Sequence, residues 1–442
     1  MPLILIQEKR PLLERIFHLQ EYDTTVRREM LAGLTTFMTM AYVVVVNPRI
    51  LSEAGMPVEG VLFATCISAA LATLIMGVWA NYPIALAPGM SLNAYFTYSI
   101  VIGRGVPWPT ALGVVFISGT LFLVLTLTNV REMIVNGIPD CLKYGTAAGI
   151  GLFIAFIGFR NAKIIVAHPS TYVTLGQLSD PQVILAAVGL LLIAGLMARR
   201  VGSAILIGIV ATALVGIPFG LTHWPSHLFS LPHPGGTFLK LNLRAAAKFG
   251  LGDLIFIFFF VDLFDNVGTL IGVCEEGGFM RDGKLPRASR ALLADALGTI
   301  MGSLTGTSTV TSYIESAAGV AAGARTGLGN LVIAGFFFAA MFCAPVIAAI
   351  PTFATAPALI IVGSLMCGAV ARVRWSDFTD AFPAFLTLVA TPLTFSIATG
   401  LSLGLISFTF LKLATGKRRE ISPLIWVLTA LFLLRYAFLG MH

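Results

Sequence analysis

The sequence predicts an all-α membrane protein that crosses the bilayer many times. Of its 442 residues, 57% are hydrophobic and only 11% are charged, whereas soluble domains carry about 25% charged residues to solvate their surfaces. The mean hydropathy is +0.91. Apolar runs of about 20 residues, the length that crosses a hydrocarbon core roughly 30 Å thick, recur from one end of the chain to the other. Lipid must therefore solvate most of the surface, and we expect a multi-pass protein of the inner or plasma membrane.

Fourteen apolar runs are separated by glycine, proline and charged residues, and each is predicted to be a transmembrane segment. In chain order they cover 29–48, 60–80, 84–102, 108–129, 141–159, 181–198, 202–220, 251–273, 288–304, 308–322, 327–350, 355–371, 379–396 and 398–415. Most of the 28 Lys and Arg residues flank the cytoplasmic ends when the N-terminus is placed in the cytoplasm, as is typical of membrane proteins. Residues 1–28 are then a cytosolic N-terminal segment. A further apolar stretch, 421–440, does not fit this plan.

The segments divide into two halves of seven at the long connection 221–250. An odd number of segments per half inverts the second half relative to the first. The third segment of each half supports this division, because ALAPGMSLNAYF (85–96) and TGTSTVTSYIESAAGV (305–320) both begin as poor helix formers and then become helical. Such interrupted segments at matching positions indicate a transport site near the middle of the membrane. We expect two short extended strands that satisfy one another's backbone groups, with two helix N-termini directed at one point.

Carboxylates inside the apolar segments are the first candidates for function. An acidic residue at the bilayer centre costs about 2.5–3.5 kcal/mol on insertion scales. Asp262 and Asp265 lie three residues apart in segment eight and share a helical face, while Asp295 lies in segment nine and Glu315 in segment ten. Burial and like-charge proximity disfavour the ionised form, so at least one of the Asp262–Asp265 pair is expected to hold or exchange a proton. The alternative for each aspartate is a hydrogen bond that serves helix packing alone.

Several other functions have no support in the sequence. Five cysteines are scattered singly without a CxxC pair, so neither a disulfide framework nor a metal site is predicted. Without a Walker A sequence or an HExxH or GxSxG motif, we expect neither ATP-driven pumping nor an enzyme. The net charge of +7 comes from residues that flank apolar segments, so it reflects topology and not a nucleic-acid partner. Gly145 and Gly149 form a small-xxx-small pattern that predicts close helix packing.

Five stretches together resemble the AzgA-like purine permeases, a branch of the nucleobase–cation symporters. They are AGLTTFMTMAYVVVVNPRIL (32–51), ALAPGMSLNAYF (85–96), VDLFDNVGTLIGV (261–273), GTSTVTSYIESAAGVAAGARTGLGNL (306–331) and ATAPALIIVGSLM (354–366). These stretches are long and spread over nearly the whole chain, which makes the resemblance specific. The resemblance implies a seven-plus-seven inverted repeat with a substrate-binding core domain, 29–130 and 251–350, and a gate domain, 138–220 and 352–415.

The same resemblance assigns a substrate site by motif. The Asp of LFDNVGT is Asp265, the Glu of YIES is Glu315 and the Asn of SLNAY is Asn93. For Asn93, the alternative is a helix N-cap. Asp262 matches an acidic position that some members replace with Asn, and Asp265 and Glu315 are the candidates for proton coupling. The remaining candidates are aromatic side chains that would stack on the base and one threonine, namely Phe37, Tyr42, Phe264, Tyr313 and Thr309.

The predicted function is import of a purine nucleobase, namely adenine, hypoxanthine or guanine, by secondary active transport. The edges of a purine alternate N–H donors with N or O acceptors, so carboxylates can accept from the ring while Asn93 and backbone N–H groups donate to it. The proton gradient is the expected driving force, sodium is the alternative coupling ion, and no other cofactor is expected. The expected partners are the purine and membrane lipid, and a homodimer is left open.

Two rival functions follow from the same pattern. Facing helix N-termini also suit anions, so an anion exchanger on the same fold is the alternative within transport. The predicted site contains acidic residues and no Arg or Lys from the middle of a segment, which argues against an anion exchanger. A channel is the alternative from another class, since interrupted helices also build selectivity filters. An inverted repeat that encloses an acidic pocket in one chain favours alternating access.

Overall fold

In the computed structural model of the protein, the described residues are 12–128, 138–225, 227–248, 252–280 and 285–438. The first half consists of α1 (Leu12–Phe17), α2 (Val26–Met40), α3 (Val43–Glu53), α4 (Val58–Ile75), β1 (Leu86–Pro88), α5 (Met90–Ala94), α6 (Trp108–Leu127), α7 (Asp140–Asn161), β2 (Ile165–His168), β3 (Tyr172–Leu175), α8 (Pro181–Ala198) and α9 (Ala204–Val215). Short π-helical turns extend α4 to Ala80 and α5 to Ile102.

The second half repeats this plan with small differences. Its elements are α10 (Leu243–Ala246), α11 (Gly252–Glu276), α12 (Ala288–Thr305), β4 (Val310–Ser312), α13 (Ser316–Ala321), α14 (Gly329–Ala340), α15 (Ala344–Ala349), α16 (Thr352–Cys367), α17 (Phe378–Leu393), α18 (Ile397–Ala414) and α19 (Pro423–Phe438). The sequence did not predict the exposed hairpin that β2 and β3 form between α7 and α8.

Every predicted segment overlaps a helix or an interrupted helix. Within the described ranges, 9 helices are long and apolar enough to cross a membrane by length and composition. Shorter apolar helices cover Ala204–Val215, Phe378–Leu393 and Pro423–Leu434. The protein is therefore a polytopic helical membrane protein, while the number of fourteen crossings stays a prediction.

The first segment contains a break that the sequence did not predict. Helix α2 ends at Met40, and α3 begins at Val43. Between them the backbone is wound more tightly than an α-helix, because the N–H groups of Val44 and Val45 donate to carbonyl oxygens three residues back, at 3.1 and 3.0 Å. Departures from α-helical geometry in the middle of a helix often mark functional positions. Here the break places Tyr42 opposite the second interrupted segment.

The two interrupted segments meet as an antiparallel strand pair, as the sequence predicted. The register pairs Leu86 with Ser312, Ala87 with Thr311 and Pro88 with Val310. Beyond the strand ends, the N–H of Gly89 donates to the carbonyl of Thr309 and the N–H of Tyr313 to that of Ala85, both at 3.0 Å. These bonds satisfy backbone groups that a helix would otherwise satisfy internally, so an extended segment is tolerated at this depth.

One threonine in each half closes an edge of this strand pair. The hydroxyl of Thr73, in α4, accepts from the N–H of Leu86 and donates to its carbonyl, both at 2.9 Å. The hydroxyl of Thr299, in α12, makes the same two bonds to Val310, at 3.2 and 3.1 Å. Helices α4 and α12 are the second segments of their halves. Equivalent segments therefore carry equivalent contacts, which is the arrangement that two structural repeats produce.

Glycines allow close contact between helices of the predicted gate. A Cβ atom on Gly145 would lie 2.9 Å from the carbonyl oxygen of Ala384, and one on Gly149 would lie 3.0 Å from that of Thr387. Both acceptors belong to α17, so the predicted packing role of this glycine pair is confirmed. Helices α7 and α16 approach just as closely, since a Cβ on Gly151 would lie 2.6 Å from the carbonyl oxygen of Gly363.

The apolar stretch 421–440 forms α19, which packs against α18. A hydrogen bond of 2.8 Å joins the hydroxyls of Thr409 and Thr429, and one of 2.5 Å joins Ser402 to Tyr436. The ring of Phe432 also meets Phe256 of α11, with ring centroids 6.3 Å apart. Helix α19 thus contacts both a predicted gate helix and a predicted core helix.

Candidate functional site

The candidate site lies where the strand pair meets α11 and the break in the first segment. Asp265, on α11, and Glu315, just before α13, are both partly buried. Ser91 donates to Oδ2 of Asp265 at 3.1 Å, and the hydroxyl of Tyr42 donates to Oε1 of Glu315 at 2.7 Å. Each carboxylate comes from the second half of the chain and is held by a hydroxyl from the first half. The site is therefore assembled across the two halves.

Both carboxylates lie at the start of a half-helix. Ser91 is the second residue of α5, which begins after Gly89, and its bond places Asp265 at that helix end. Glu315 occupies the N-cap position of α13 without a side-chain capping bond, because its carboxylate is bonded to Tyr42. Negative charge is favoured at a helix N-terminus by the unpaired N–H groups and the helix dipole.

The two tyrosines of the site are buried and use their hydroxyls within the protein. The exposed fraction is 2% for Tyr42 and 6% for Tyr313. The hydroxyl of Tyr313 donates to the carbonyl of Pro88 at 2.5 Å, so it links the end of β4 to β1. A ring fixed at its hydroxyl has a defined orientation. Stacking of these rings on a base stays a prediction.

The other predicted contact residues differ in their surroundings. Phe37, on α2, stacks on Phe336 of α14 with centroids 4.9 Å apart. Thr309 is fully buried, and within the described part its hydroxyl has no hydrogen-bond partner. Phe264 is a residue of α11, but its side chain lies outside the described residues. The substrate roles of these three residues remain predictions.

The remaining membrane carboxylates are more deeply buried than the pair at the site. Asp262, one turn before Asp265 on α11, is 1% exposed, and Asp295, on α12, is fully buried. A carboxylate at this depth stays only where polar groups of the protein replace water. Asp262 therefore remains a candidate beside the site, and its role in substrate binding stays a prediction.

Asn93 is not a helix N-cap, so that alternative is wrong. It is the fourth residue of α5, whose N-cap position is Gly89. Its side-chain NH2 group instead donates to the amide oxygen of Asn47, on α3. Asn47 in turn donates to the hydroxyls of Thr65 and Thr307, at 2.8 and 3.0 Å. Asn47 was not predicted from the sequence, although an amide within the apolar run VVVVNP was the available signal.

A helical bundle with two interrupted segments and partly buried carboxylates at their half-helix ends is the arrangement typical of a membrane transport protein. The chain belongs to the Xan_ur_permease family, described as the Permease family, which matches residues 27–403. It is 48% identical to the guanine/hypoxanthine permease PbuO of Bacillus subtilis, over 95% of this chain and 99% of that protein. It is 42% identical to the adenine permease AdeP of Escherichia coli, over 98% and 97% of the two chains. The resemblance to the AzgA-like purine permeases is therefore confirmed.

Solved structures with the same fold are membrane transporters. The transmembrane domain of the cyanobacterial bicarbonate transporter BicA aligns with a TM-score of 0.64 at 16% identity, covering 84% of this chain and 97% of that one. The murine anion transporter Slc26a9, in an inward-facing state, aligns with a TM-score of 0.62 at 10% identity. The alignment covers 94% of this chain and 74% of that one. At these identities the likeness shows a shared fold alone.

Proposed function

We propose that this protein is a secondary active transporter that imports purine nucleobases, namely adenine, hypoxanthine or guanine, together with a proton. The observation that carries the proposal is the carboxylate pair, Asp265 and Glu315. Each carboxylate lies at the start of a half-helix and accepts a hydrogen bond from a hydroxyl. The names of the relatives support the substrate class, since they are adenine and guanine/hypoxanthine permeases that match nearly the whole chain.

The chemistry of the pair suits a flat heterocycle. A carboxylate oxygen accepts hydrogen bonds, and every purine base carries ring or amino N–H groups that donate them. A site that pairs these donors rejects ligands without them, because its own buried groups would be left unpaired. We assign Asp265 and Glu315 as acceptors for purine N–H groups, with Tyr42 orienting Glu315.

The way in which the carboxylates are held supports proton coupling. The hydrogen bonds described for them come from the neutral hydroxyls of Ser91 and Tyr42, which stabilise an anion less than a cation would. Burial adds a further cost to the ionised form. One of the two carboxylates can therefore gain and lose a proton during the cycle, and protonation converts one of its oxygens into a donor.

Alternating access would require the predicted core to move against the predicted gate. One polar cluster joins the two: at the end of α7, Arg160 lies 3.4 Å from Oε2 of Glu53, and Asn161 donates to Oε1 of Glu53 at 3.0 Å. Asn161 also donates to the hydroxyl of Tyr98 at 3.2 Å. In the fourteen-segment plan this cluster lies at the outer face. We assign it as a contact that holds the outer side closed and must break when the site opens outward.

Anion exchange is the rival supported by the fold, because the structural neighbours carry bicarbonate or other anions. Two carboxylates in the site oppose an anion by like-charge repulsion. They suit instead a neutral base with N–H donors. The relatives named for purines are also far more similar in sequence than the anion transporters are.

The test is competition for uptake in cells that lack their own purine permeases. Labelled adenine, guanine and hypoxanthine are offered with unlabelled adenine, guanine, hypoxanthine, xanthine, uracil or bicarbonate. The proposal expects saturable uptake that purines inhibit and that uracil and bicarbonate do not. Counterflow from preloaded vesicles identifies a carrier, whereas non-saturable flux without counterflow would identify a channel. Inhibition by bicarbonate but not by purines would overturn the proposal.

A further inference from the structure

We propose that Asn47 is a positioning residue that turns the amide of Asn93 so that its carbonyl oxygen, and not its NH2 group, is presented to the base. This inference rests on the proposed function, since the assignment of Asn93 to the substrate comes from the family resemblance. It reverses the role expected from the sequence, in which Asn93 donates to the purine. The direction of each hydrogen bond in one buried chain of bonds decides which group of Asn93 faces the base.

The chain of bonds begins at a hydroxyl whose proton is already used. Thr65, on α4, donates its hydroxyl proton to the carbonyl of Val61 at 2.6 Å. Towards Asn47 this hydroxyl can therefore only accept. The group of Asn47 that lies 2.8 Å from it must be the NH2 group, since an amide oxygen there would face another acceptor. The second proton of the same NH2 group goes to the hydroxyl of Thr307, at 3.0 Å.

The orientation of Asn47 then dictates that of Asn93. With both N–H bonds of Asn47 directed at hydroxyls, its amide oxygen is the group left to face Asn93. Asn93 must meet that oxygen with its own NH2 group, and the structure has this bond. Asn47, Asn93, Thr65 and Thr307 are all fully buried, so water does not compete for these positions. Hydrogen bonds in such a low-dielectric chain reinforce one another.

The chain of bonds ends at an acceptor without a donor. The amide oxygen of Asn93 is buried and has no hydrogen-bond partner within the described part of the protein. A buried polar group left unpaired is costly, and most such groups in proteins find a partner. An N–H or NH2 group of a purine would supply the missing donor. Asn93 therefore acts as an acceptor, like the two carboxylates, and Asn47 acts only through it.

The experiment compares matched threonine variants and a double substitution. Thr65→Val removes the hydroxyl that fixes Asn47 and keeps its shape, while Thr65→Ser keeps the hydroxyl and serves as the control. Asn47→Ala and Asn93→Ala are made singly and together. For each variant, KM and maximal uptake rate are measured for adenine and for hypoxanthine, alongside the amount of protein in the membrane.

We expect KM to rise about three- to tenfold in Asn47→Ala, the range of one neutral hydrogen bond, with a smaller rise in Thr65→Val and none in Thr65→Ser. The maximal rate per molecule should change little. In the Asn93→Ala background, Asn47→Ala should raise KM no further, because its effect passes through Asn93.

Three results would overturn the inference. Additive effects on KM in the double variant would show that Asn47 acts independently of Asn93. Equal KM values for Thr65→Val and Thr65→Ser would show that the Thr65 hydroxyl does not fix the orientation of Asn47. This comparison can still be made if the Asn47→Ala protein fails to accumulate. If the wild-type protein takes up no purine, the proposed function itself is rejected. Failure of the proposed function is thereby distinguished from failure of the inference about Asn47.

Discussion

The hydroxyl of Tyr42 lies 2.7 Å from Oε1 of Glu315, although 273 positions separate the two residues in the chain. Tyr42 lies at the break between α2 and α3, and Glu315 lies just before the half-helix α13. Any movement of the first segment against the second interrupted segment changes this bond. The pair is therefore a place where binding and movement can be linked.

Replacing Tyr42 with Phe should raise KM for purines about three- to tenfold, which is less than the roughly 10- to 150-fold of a hydrogen bond to a charged group, because Tyr42 acts on the base only through Glu315. The ring remains, but the donor that orients Glu315 is lost. Initial uptake rates over a range of substrate concentrations measure this effect. Tyr144→Phe is the control, because it removes a hydroxyl from α7 while keeping the ring, which lies 6.0 Å from the guanidinium of Arg372. Similar KM values for the two variants would contradict the orienting role of Tyr42.

Asp265→Ala and Glu315→Ala should each abolish measurable uptake while the protein still reaches the membrane. Each substitution removes an acceptor for a purine N–H, and a hydrogen bond to a charged group contributes about 1.5–3 kcal/mol, or roughly 10- to 150-fold in affinity. Uptake assays with immunodetection of the membrane fraction measure both quantities. The matched control is Asp140→Ala, which removes an exposed carboxylate paired with Lys143. Near-normal uptake by either site variant would reject the site.

Glu315→Gln should retain counterflow but lose accumulation against a gradient. Gln keeps the shape of the protonated acid and can still accept from Tyr42, but it cannot release a proton. In the wild type, uptake should fall as the outside pH rises and stop when a protonophore is added, because the proton is a co-substrate. Accumulation that survives a protonophore but ends when sodium is removed would assign the coupling to sodium.

Arg160→Ala should shift the population towards a state with the outer side open. The substitution removes the ion pair with Glu53 and the contact with the Tyr98 ring, whose centre lies 5.0 Å from the guanidinium carbon. The readout is labelling by a membrane-impermeant thiol reagent of Ser99→Cys in a cysteine-free background, because Ser99 bonds the carbonyl of Phe395 between the two predicted domains.

Faster labelling is expected in Arg160→Ala than in a control, Lys163→Ala. Lys163 forms an ion pair with Asp180 at the same end of the molecule but within the predicted gate. An exposed pair of this kind contributes only about 0–1 kcal/mol. Equal labelling rates in the two variants would show that the Glu53 cluster does not hold the outer side closed.

Gly151→Ala should destabilise the predicted gate, because the added Cβ would lie 2.6 Å from the carbonyl oxygen of Gly363. Backbone cannot move aside as a side chain can, and overpacking typically costs about 1–3 kcal/mol. Gly195→Ala is the control, since a Cβ there would meet nothing within 4 Å. Thermal unfolding of the two detergent-purified variants should show a lower midpoint for the first alone. An unchanged midpoint for Gly151→Ala would mean that α7 and α16 can separate without cost.

The sequence by itself determined the membrane class, the helical character, the positions of the two interrupted segments and the presence of carboxylates inside apolar segments. These features follow from local properties of the chain. Apolar length decides what can enter a bilayer, and Gly, Pro, Ser and Thr decide where a helix starts poorly. The expectation that β1 and β4 pair with each other also came from a local rule, that backbone groups inside a membrane must be bonded.

Only the tertiary structure decided which atoms meet. The bonds from Tyr42 to Glu315 and from Asn93 to Asn47 join segments that no sequence periodicity relates. The break at Tyr42 could not be predicted either, because it contains no glycine or proline. The position of α19 between α18 and α11 also depends on packing. A side chain becomes a donor or an acceptor according to what its neighbours already use, and those neighbours are brought together only by folding.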